Sequence, residues 1–409
     1  MTLRDTFLPF SPPFIGEEEV NEVIDTLRSD WLTTGPKVKR FEQEFSAFLG
    51  APAALALNSC TAALHTALVT LGIGPGDAVV TTPMTFCASV NVIEHVGATP
   101  ILVDVEPDTL NIDPHQVEAA VANHRRKRSL TGRPSAVGGR ILAVIPVHLY
   151  GHPCEMDAIL DIARRYGLAV IEDAAHALPA WYKGKLVGSF STFSSIPILT
   201  CFSFYATKNL TTAEGGMLTG APELLDRARV WSLHGMSRDA WKRYTAKGSW
   251  YYEVVYPGFK YNMTDIQAAI GLHQLRKLPW FHARRREIVS RYNEAFSQVE
   301  ELRIPIERPE VEHAWHLYVL RLNLDMLTVD RAQFVEELRA RNIGTSVHFI
   351  PVHLHPYYRD NYDFKKGDFP TAEAIFESII SLPLYPKMTE RDVEDVIQAV
   401  KRVVARNRA

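Results

Sequence analysis

A single lysine stands in "SFYATKNLTTAEGGMLTG", residues 203–220, among small and hydroxyl side chains, with aromatics just upstream and a Gly-Gly pair downstream. Lys208 becomes a useful nucleophile near neutral pH only if its pKa is pulled down, and a low-charge pocket beside a cationic group does that. Two further stretches carry matching chemistry. In "VIEDAAHALPAW", Asp173 closes a very apolar run, where an ionised carboxylate is expensive unless something cationic pairs with it, and His176 follows within a helical turn. In "LNSCTAALHTAL", Asn58, Ser59, Cys60 and Thr61 sit where a strand runs into a helix. Such a helix start offers unpaired N–H groups and a positive dipole end to a phosphate.

Taken singly, each has a plainer account. Asn or Ser ordinarily caps a helix, a strand-end Asp ordinarily caps the next one (here "AAHAL"), a lone His is ordinarily a satisfied core residue, and a loop lysine is ordinarily solvated. Together, an anion site, a carboxylate and an amine match one cofactor, pyridoxal 5'-phosphate, which has a phosphate, a pyridine nitrogen and an aldehyde. The competing nucleotide fingerprint, "GIGPGD", follows a helix, precedes a strand and lacks G-x-G-x-x-G spacing, so it reads as a turn.

The elements that must position these residues alternate. "EEEVNEVIDTLRSDW" and "PKVKRFEQEFSAFLG" have amphipathic helical spacing. "AALALNS", "DAVVTTP", "TPILVDV", "RILAVIPVH" and "LAVIEDA" read as buried strands separated by the helices "CTAALHTALVTLG", "ASVNVIEHVG" and "EMDAILDIARRYG". The expected class is α/β, a mostly parallel sheet covered by helices, with ligands gathering beyond the carboxyl ends of its strands. After about residue 280 the pattern changes to "FHARRREIVSRYNEAF", "HAWHLYVLRLNL", "RAQFVEELRARN" and "TERDVEDVIQAVKRVV". This predicts a large domain over residues 1–280, N-terminal helices included, and a smaller α+β domain over 281–409. The basic segment "NHRRKRSLTGRPSAVGGR", residues 123–140, reads as a solvated surface loop, since it lacks the aromatic side chains that stack nucleic-acid bases.

With 409 residues, 46% of them hydrophobic, the chain can bury a large core, and a formal charge of −3 gives no overall attraction to nucleic acid or an anionic membrane. Cys60, Cys87, Cys154 and Cys201 are far apart, show no C-x-x-C spacing and follow no signal-like apolar N-terminus. They read as reduced thiols of a cytoplasmic protein, with neither disulfides nor a metal expected. No apolar stretch approaches the roughly 20 residues of a membrane span, so a soluble protein is expected.

The stretches "VIEDAAHA", "FSFYATKNLTTAEGGM", "PGFKYNMTDIQAAIGLHQLRKL", "HAWHLYVLRL", "GTSVHFIPVHLHPYY" and "SLPLYPKMTERD", with "FLPFSPPFIGEEEV" and "WLTTGPKVKRFEQEF" at the start, resemble the sugar-nucleotide aminotransferases among fold type I pyridoxal phosphate enzymes. The resemblance spans nearly the whole chain, and "YKGKLVG" and "KYNMTDIQAAI" fit the branch of UDP-4-amino-4-deoxy-L-arabinose aminotransferases. It implies that Lys208 forms the Schiff base, that Asp173 pairs with the pyridine nitrogen, and that His176 lies near the ring hydroxyl. It further implies that Ser203 and the backbone around Cys60 and Thr61 hold the phosphate, that Asn262 reaches it from a neighbouring subunit of a homodimer, and that Phe86 lies against the ring. His348 is implied as a sugar-side contact. The implied reaction takes an amino group from L-glutamate through pyridoxamine 5'-phosphate to a nucleotide-linked ketosugar, a 4-ketosugar first, releasing 2-oxoglutarate.

Residues 123–140 and "STFSSIPILT" ahead of Ser203 are longer than the arabinose branch implies, which leaves the sugar unnamed. Three other readings stay open on the sequence. A dehydratase of the same fold would carry His in place of Lys208, a non-catalytic binding protein would turn over no ketosugar, and a nucleic-acid role would rest on the 123–140 segment.

Overall fold

The computed structural model describes residues 4–131, 139–189, 195–237 and 251–409. Two helices, α1 (Glu17–Arg28) and α2 (Pro36–Leu49), precede an alternating region: β1 (Ala54–Leu57), α3 (Cys60–Thr70), β2 (Asp77–Thr81), α4 (Ala88–His95), β3 (Thr99–Leu102), α5 (Pro114–Thr131), β4 (Arg140–Val144), α6 (Met156–Tyr166) and β5 (Ala169–Asp173). Next come the short β6 (Trp181–Tyr182) and β7 (Lys185–Leu186), then β8 (Ile198–Ser203), β9 (Gly216–Gly220), α7 (Pro222–Ser232) and the long α8 (Asp265–Phe296). The remainder holds β10 (Leu302–Arg303), β11 (Val311–Glu312), β12 (Tyr318–Leu322), α9 (Arg331–Arg339), α10 (Pro356–Tyr362), α11 (Pro370–Ser378), β13 (Ile379–Leu382) and α12 (Glu390–Arg406).

The main sheet has the order β1-β9-β8-β5-β4-β2-β3. β8, β5, β4, β2 and β3 are parallel, whereas β9 runs against both β8 and β1. The sheet is therefore mostly parallel, as the alternation requires, but β8 and β9 fall outside the periodic runs quoted above. Their reversal matters for the site. β8 ends at Ser203 and β9 begins at its cross-strand partner Gly216, so the intervening loop, with Lys208, hangs at the carboxyl edge beside the ends of β5 and β1.

Both faces of the sheet are buried. On one, Phe41 and Phe45 of α2 meet Phe204 and Phe202 at centroid distances of 5.5 and 5.2 Å, all four fully buried. Each such side chain contributes about 1.5–3 kcal/mol. On the other, α3 and α7 cover Leu55, Leu57, Leu199 and Leu218. α8 is clamped at its start: Thr264 caps it in a reciprocal pair with Gln267, while Asp265 accepts from the N–H groups of Gly35, Lys37 and Val38 at 2.8–3.1 Å and so caps α2 as well.

"FHARRREIVSRYNEAF" is the second half of α8, which passes through Pro279 without ending, so a division at residue 280 cuts through a continuous helix. Beyond it, the antiparallel sheet β10-β12-β13 packs on Tyr292 and Phe296 of α8, with α9 and α12 over the same core.

The expectation for the basic segment needs correction. Residues 123–131 are not loop but the end of α5, and the Gly and Pro residues of the segment all follow Thr131; residues 132–138 lie outside those described. Of "STFSSIPILT", Ile198–Thr200 are the first residues of β8, where Thr200 Oγ1 donates to the buried Glu172 at 2.6 Å; residues 190–194 lie outside those described. All four cysteines are free. No helix of the described residues is long and apolar enough to cross a membrane.

Candidate active site

A cavity of about 500 Å³ opens at the carboxyl edge of the main sheet. Lys208, Asp173, His176, Cys60, Thr61, Phe86, Ser203 and His348, all singled out from sequence, line it. Asn262 does not: its Nδ2 donates to Thr34 Oγ1 at 2.6 Å and its backbone bridges to Leu57.

The anion side is built by α3. Ser59, not Asn58, is the cap, accepting from Ala62 N–H at 3.0 Å, and the N–H groups of Cys60 and Thr61 have no hydrogen-bond partner among the described residues. Ser203 ends β8 on the same edge. Gly216 lets β9 come this close, since a Cβ there would lie 2.5 Å from the Ser59 carbonyl and 2.6 Å from Cys60 N.

At the end of β5, Asp173 is buried, and its pKa is raised by that burial. Its hydrogen-bond partners among the described residues are uncharged. Ser89 Oγ donates to Oδ2 at 2.7 Å, Ala175 N–H to Oδ1 at 3.1 Å, and Ser89 accepts in turn from Thr85 Oγ1 at 2.8 Å. These bonds, with Lys208 and His148 at longer range, favour the ionised form but do not outweigh the lost water. No helix follows Asp173: "AAHAL" is a pair of turns, so helix capping does not explain this carboxylate.

Lys208 has its pKa lowered to about 8, and burial is the cause. The cationic neighbour expected from sequence has no part in it; Cys60 and Asp173 act in the opposite direction. Reductive methylation of the apoprotein should thus modify Lys208 at a rate that climbs through pH 8, read by peptide mass spectrometry. A midpoint at the ordinary lysine value of 10.5 would contradict this assignment.

The wall opposite is a stack of rings. Tyr150 N–H donates to His176 Nδ1 at 3.1 Å, and the His176 ring lies 5.8 Å from Phe349 and 4.5 Å from His316. Burial depresses the pKa of His176, His316 and His348, the last to about 4, so all three are neutral at pH 7. His316 is fixed from behind by Asn209, next to Lys208, and by Arg285, which donates to the carbonyls of Trp315, His316 and Leu384. His348 Nδ1 bonds Ser381 Oγ at 2.8 Å. Phe86 is 59% exposed in this cavity and touches only Phe349 among aromatic rings of the described residues, a position more suited to covering a ligand than to filling a core.

Sequence reasoning missed Ser89, Thr85, Tyr150, His316 and Phe349. His316 and Phe349 stand inside motifs already quoted, but nothing in their spacing says which motif residue faces inward. Ser89 has no local signal at all, because its partner is 84 positions away.

The chain matches the model of the DegT/DnrJ/EryC1/StrS aminotransferase family over residues 13–401. It is 52% identical over 403 residues to the spore coat polysaccharide biosynthesis protein SpsC of Bacillus subtilis, covering 98% of both chains. An uncharacterized protein of Methanocaldococcus jannaschii is 54% identical over 407 residues, covering 99% of this chain and 100% of the relative. Among solved structures, a Streptococcus pneumoniae protein assigned as a sugar aminotransferase superposes in its PLP form with a TM-score of 0.85 at 36% identity, covering 98% of this chain and 99% of that one. The same protein is known in a PMP form. Helicobacter pylori PseC, an aminotransferase involved in the biosynthesis of pseudoaminic acid, gives a TM-score of 0.84 at 26% identity, covering 98% of this chain and 100% of that one.

Proposed function

The chain belongs to the DegT/DnrJ/EryC1/StrS aminotransferase family, and on that premise we propose that it transfers the amino group of L-glutamate to a nucleotide-linked 4-ketosugar, giving an amino sugar and 2-oxoglutarate. It is a sugar aminotransferase that uses pyridoxal phosphate, with pyridoxamine phosphate as the amino-carrying form. The donor, the nucleotide and the residue roles below are the proposal. One observation carries the residue roles: an amine with a pKa of about 8, a buried carboxylate and two helix-start N–H groups unpartnered among the described residues share one cavity; the donor and the nucleotide rest on the family resemblance.

These residues fit the cofactor. The Cys60 and Thr61 N–H groups, with Ser203, would hold the phosphate at the positive end of α3; Asp173 would face the pyridine nitrogen, His176 the ring hydroxyl and Phe86 a ring face. When bound, the cofactor supplies an aldehyde to carry the amino group and an electron-poor ring to accept carbanion density. Everything else falls to the chain. Lys208 Nζ, partly neutral at pH 7, accepts the proton that leaves the donor's Cα and delivers one to the acceptor's C4 in the second half. Asp173, held by Ser89 and Ala175, keeps a negative charge where a cationic nitrogen would otherwise lose its proton. The neutral His316, His348 and Phe349 exclude water on the sugar side.

Asn262 would reach the phosphate of a second copy, making the homodimer necessary for activity. The exposed apolar side chains of Leu27, Trp31 and Leu32, just before the Thr34 that binds Asn262, support a partner over this face. The reading also places the protein in the cytoplasm, where nucleotide-linked sugars and glutamate are at hand, and treats residues 281–409 as a smaller C-terminal domain.

Gly216→Ala is expected to displace the start of α3 and raise the dissociation constant for pyridoxal phosphate at least roughly tenfold, since the added methyl meets backbone rather than a movable side chain. Equilibrium titration of the cofactor checks this, and unchanged affinity would remove α3 from the phosphate site. The function itself is tested by incubating the holoenzyme with glutamate and a panel of nucleotide-linked ketosugars, scoring amino-sugar product and 2-oxoglutarate by mass. Product from a 4-keto member is expected. Product only from 3-keto members, or only with another amino donor, would overturn the corresponding part of the proposal.

A further inference from the structure

A second cavity, of about 160 Å³, lies apart from the first and is lined by Arg303, Arg321, Asp108, Tyr150, His152 and His313 among others. Its two arginines are direct cross-strand partners of the antiparallel pair β10 and β12. Opposed residues of such a pair share one face with Cβ atoms about 4.5–5.5 Å apart, and like charges placed so repel. Little among the described residues offsets this repulsion. Neither guanidinium makes an ion pair among the described residues. Arg321 Nη1 donates to the Pro107 carbonyl at 2.6 Å, while its Nε is buried without any partner, and the Arg303 side chain makes no hydrogen bond among the described residues. Burial lowers the Arg321 pKa, and the charge of Arg303 lowers it further.

The other lining groups do not cancel the charge. His152 and His313 are held neutral by burial, His152 with Nδ1 on the Pro153 carbonyl and His313 with Nδ1 accepting from Trp315 N–H. Asp108 is the only carboxylate lining the cavity among the described residues, and it stabilises the Arg321 cation from beyond ion-pair distance. Two guanidinium groups, that of Arg303 exposed and that of Arg321 half-buried, thus share with one carboxylate a cavity of about 160 Å³, well under the roughly 300 Å³ of a typical small-molecule pocket.

We propose that this cavity is an oxyanion site, distinct from the active-site cavity, which takes the phosphate or carboxylate group of a small molecule between the guanidinium groups of Arg303 and Arg321. Guanidinium forks match both groups, and a bound oxyanion would satisfy the orphaned Nε–H while neutralising the repulsion. Tyr150 gives the site a route to the active site. It lines the second cavity, its N–H holds His176, and its hydroxyl donates to the backbone carbonyl of His348. An anion seated here would fix Tyr150 and, through it, two walls of the sugar side.

The test uses holoenzyme, so that the cofactor's own phosphate site is filled, and titrates inorganic phosphate and succinate in separate calorimetric experiments at constant ionic strength. Saturable binding of at least one is expected, phosphate alone pointing to a phosphoryl ligand and succinate alone to a carboxylate. Arg303→Gln and Arg321→Gln should each weaken it roughly tenfold or more without altering the cofactor's absorbance. Arg303 is exposed, so its variant should fold as the parent does, and a loss of thermal stability with unchanged anion affinity would mean a merely structural role. Absence of saturable binding for both anions, or equal affinity in Arg303→Gln, would overturn the proposal.

Discussion

Lys208→Ala is expected to lower transamination by roughly 10⁴-fold or more, because one side chain supplies both the covalent anchor and the proton transfer at the donor's Cα. Single-turnover measurement with glutamate, following 2-oxoglutarate, is the direct check, and parental turnover would sink the assignment. The same variant should change stability in the opposite sense. Burial lowers the Lys208 pKa from 10.5 to about 8, so between those values the unfolded chain binds the proton more readily than the folded one. The cost of burying the ammonium is fully present below pH 8 and fades as pH rises toward 10.5. The Lys208→Ala apoprotein should therefore melt higher than the parent near neutral pH, apart from packing lost with the side chain, and this advantage should shrink as the buffer passes pH 8. A pH-independent difference would show that the amine is not desolvated in the fold.

Asp173→Asn is the second large effect. Asparagine keeps the shape and can still accept from Ser89 Oγ, but it removes the negative charge on which a cationic ring nitrogen depends. Removing one preorganised electrostatic partner costs on the order of 10²–10³ in turnover. Stability should again move the other way. The folded pKa of Asp173 lies above its ordinary value of 3.8, so the folded state holds the proton longer than the unfolded chain, and stability contributed at this position falls as pH rises through that window. At neutral pH the Asp173→Asn apoprotein should be at least as stable as the parent by thermal melting. A variant both inactive and strongly destabilised would mark Asp173 as a structural residue.

These paired signs bear on how the two residues were legible. The positions were readable because each is a local event: Asp173 ends an apolar run, Cys60 and Thr61 open a helix, and Lys208 is an isolated amine among small residues. The reason for the behaviour of Lys208 differs from the expected one: burial, and not a cationic neighbour, lowers its pKa, while hydroxyl and amide donors hold Asp173. Likewise the helix that would have given Asp173 a plain capping role is a pair of turns, and the basic 123–140 segment begins as the last turns of α5.

What the amino-acid sequence determined by itself is the alternating architecture and the set of groups able to bind an aldehyde, a cationic nitrogen and a phosphate, since periodicity, helix starts and residue type act over a few neighbours. Tertiary structure alone decided the environment of those groups. The reversal of β9 against β8 brings Gly216 onto the Ser59 carbonyl and sets the Lys208 loop at the sheet edge; α4 delivers Ser89 to Asp173; Arg285 and Asn209 hold His316 against His176. Desolvation and hydrogen-bond partnership depend on which distant segments pack together, and that information is carried by the folded whole and by no single stretch of it.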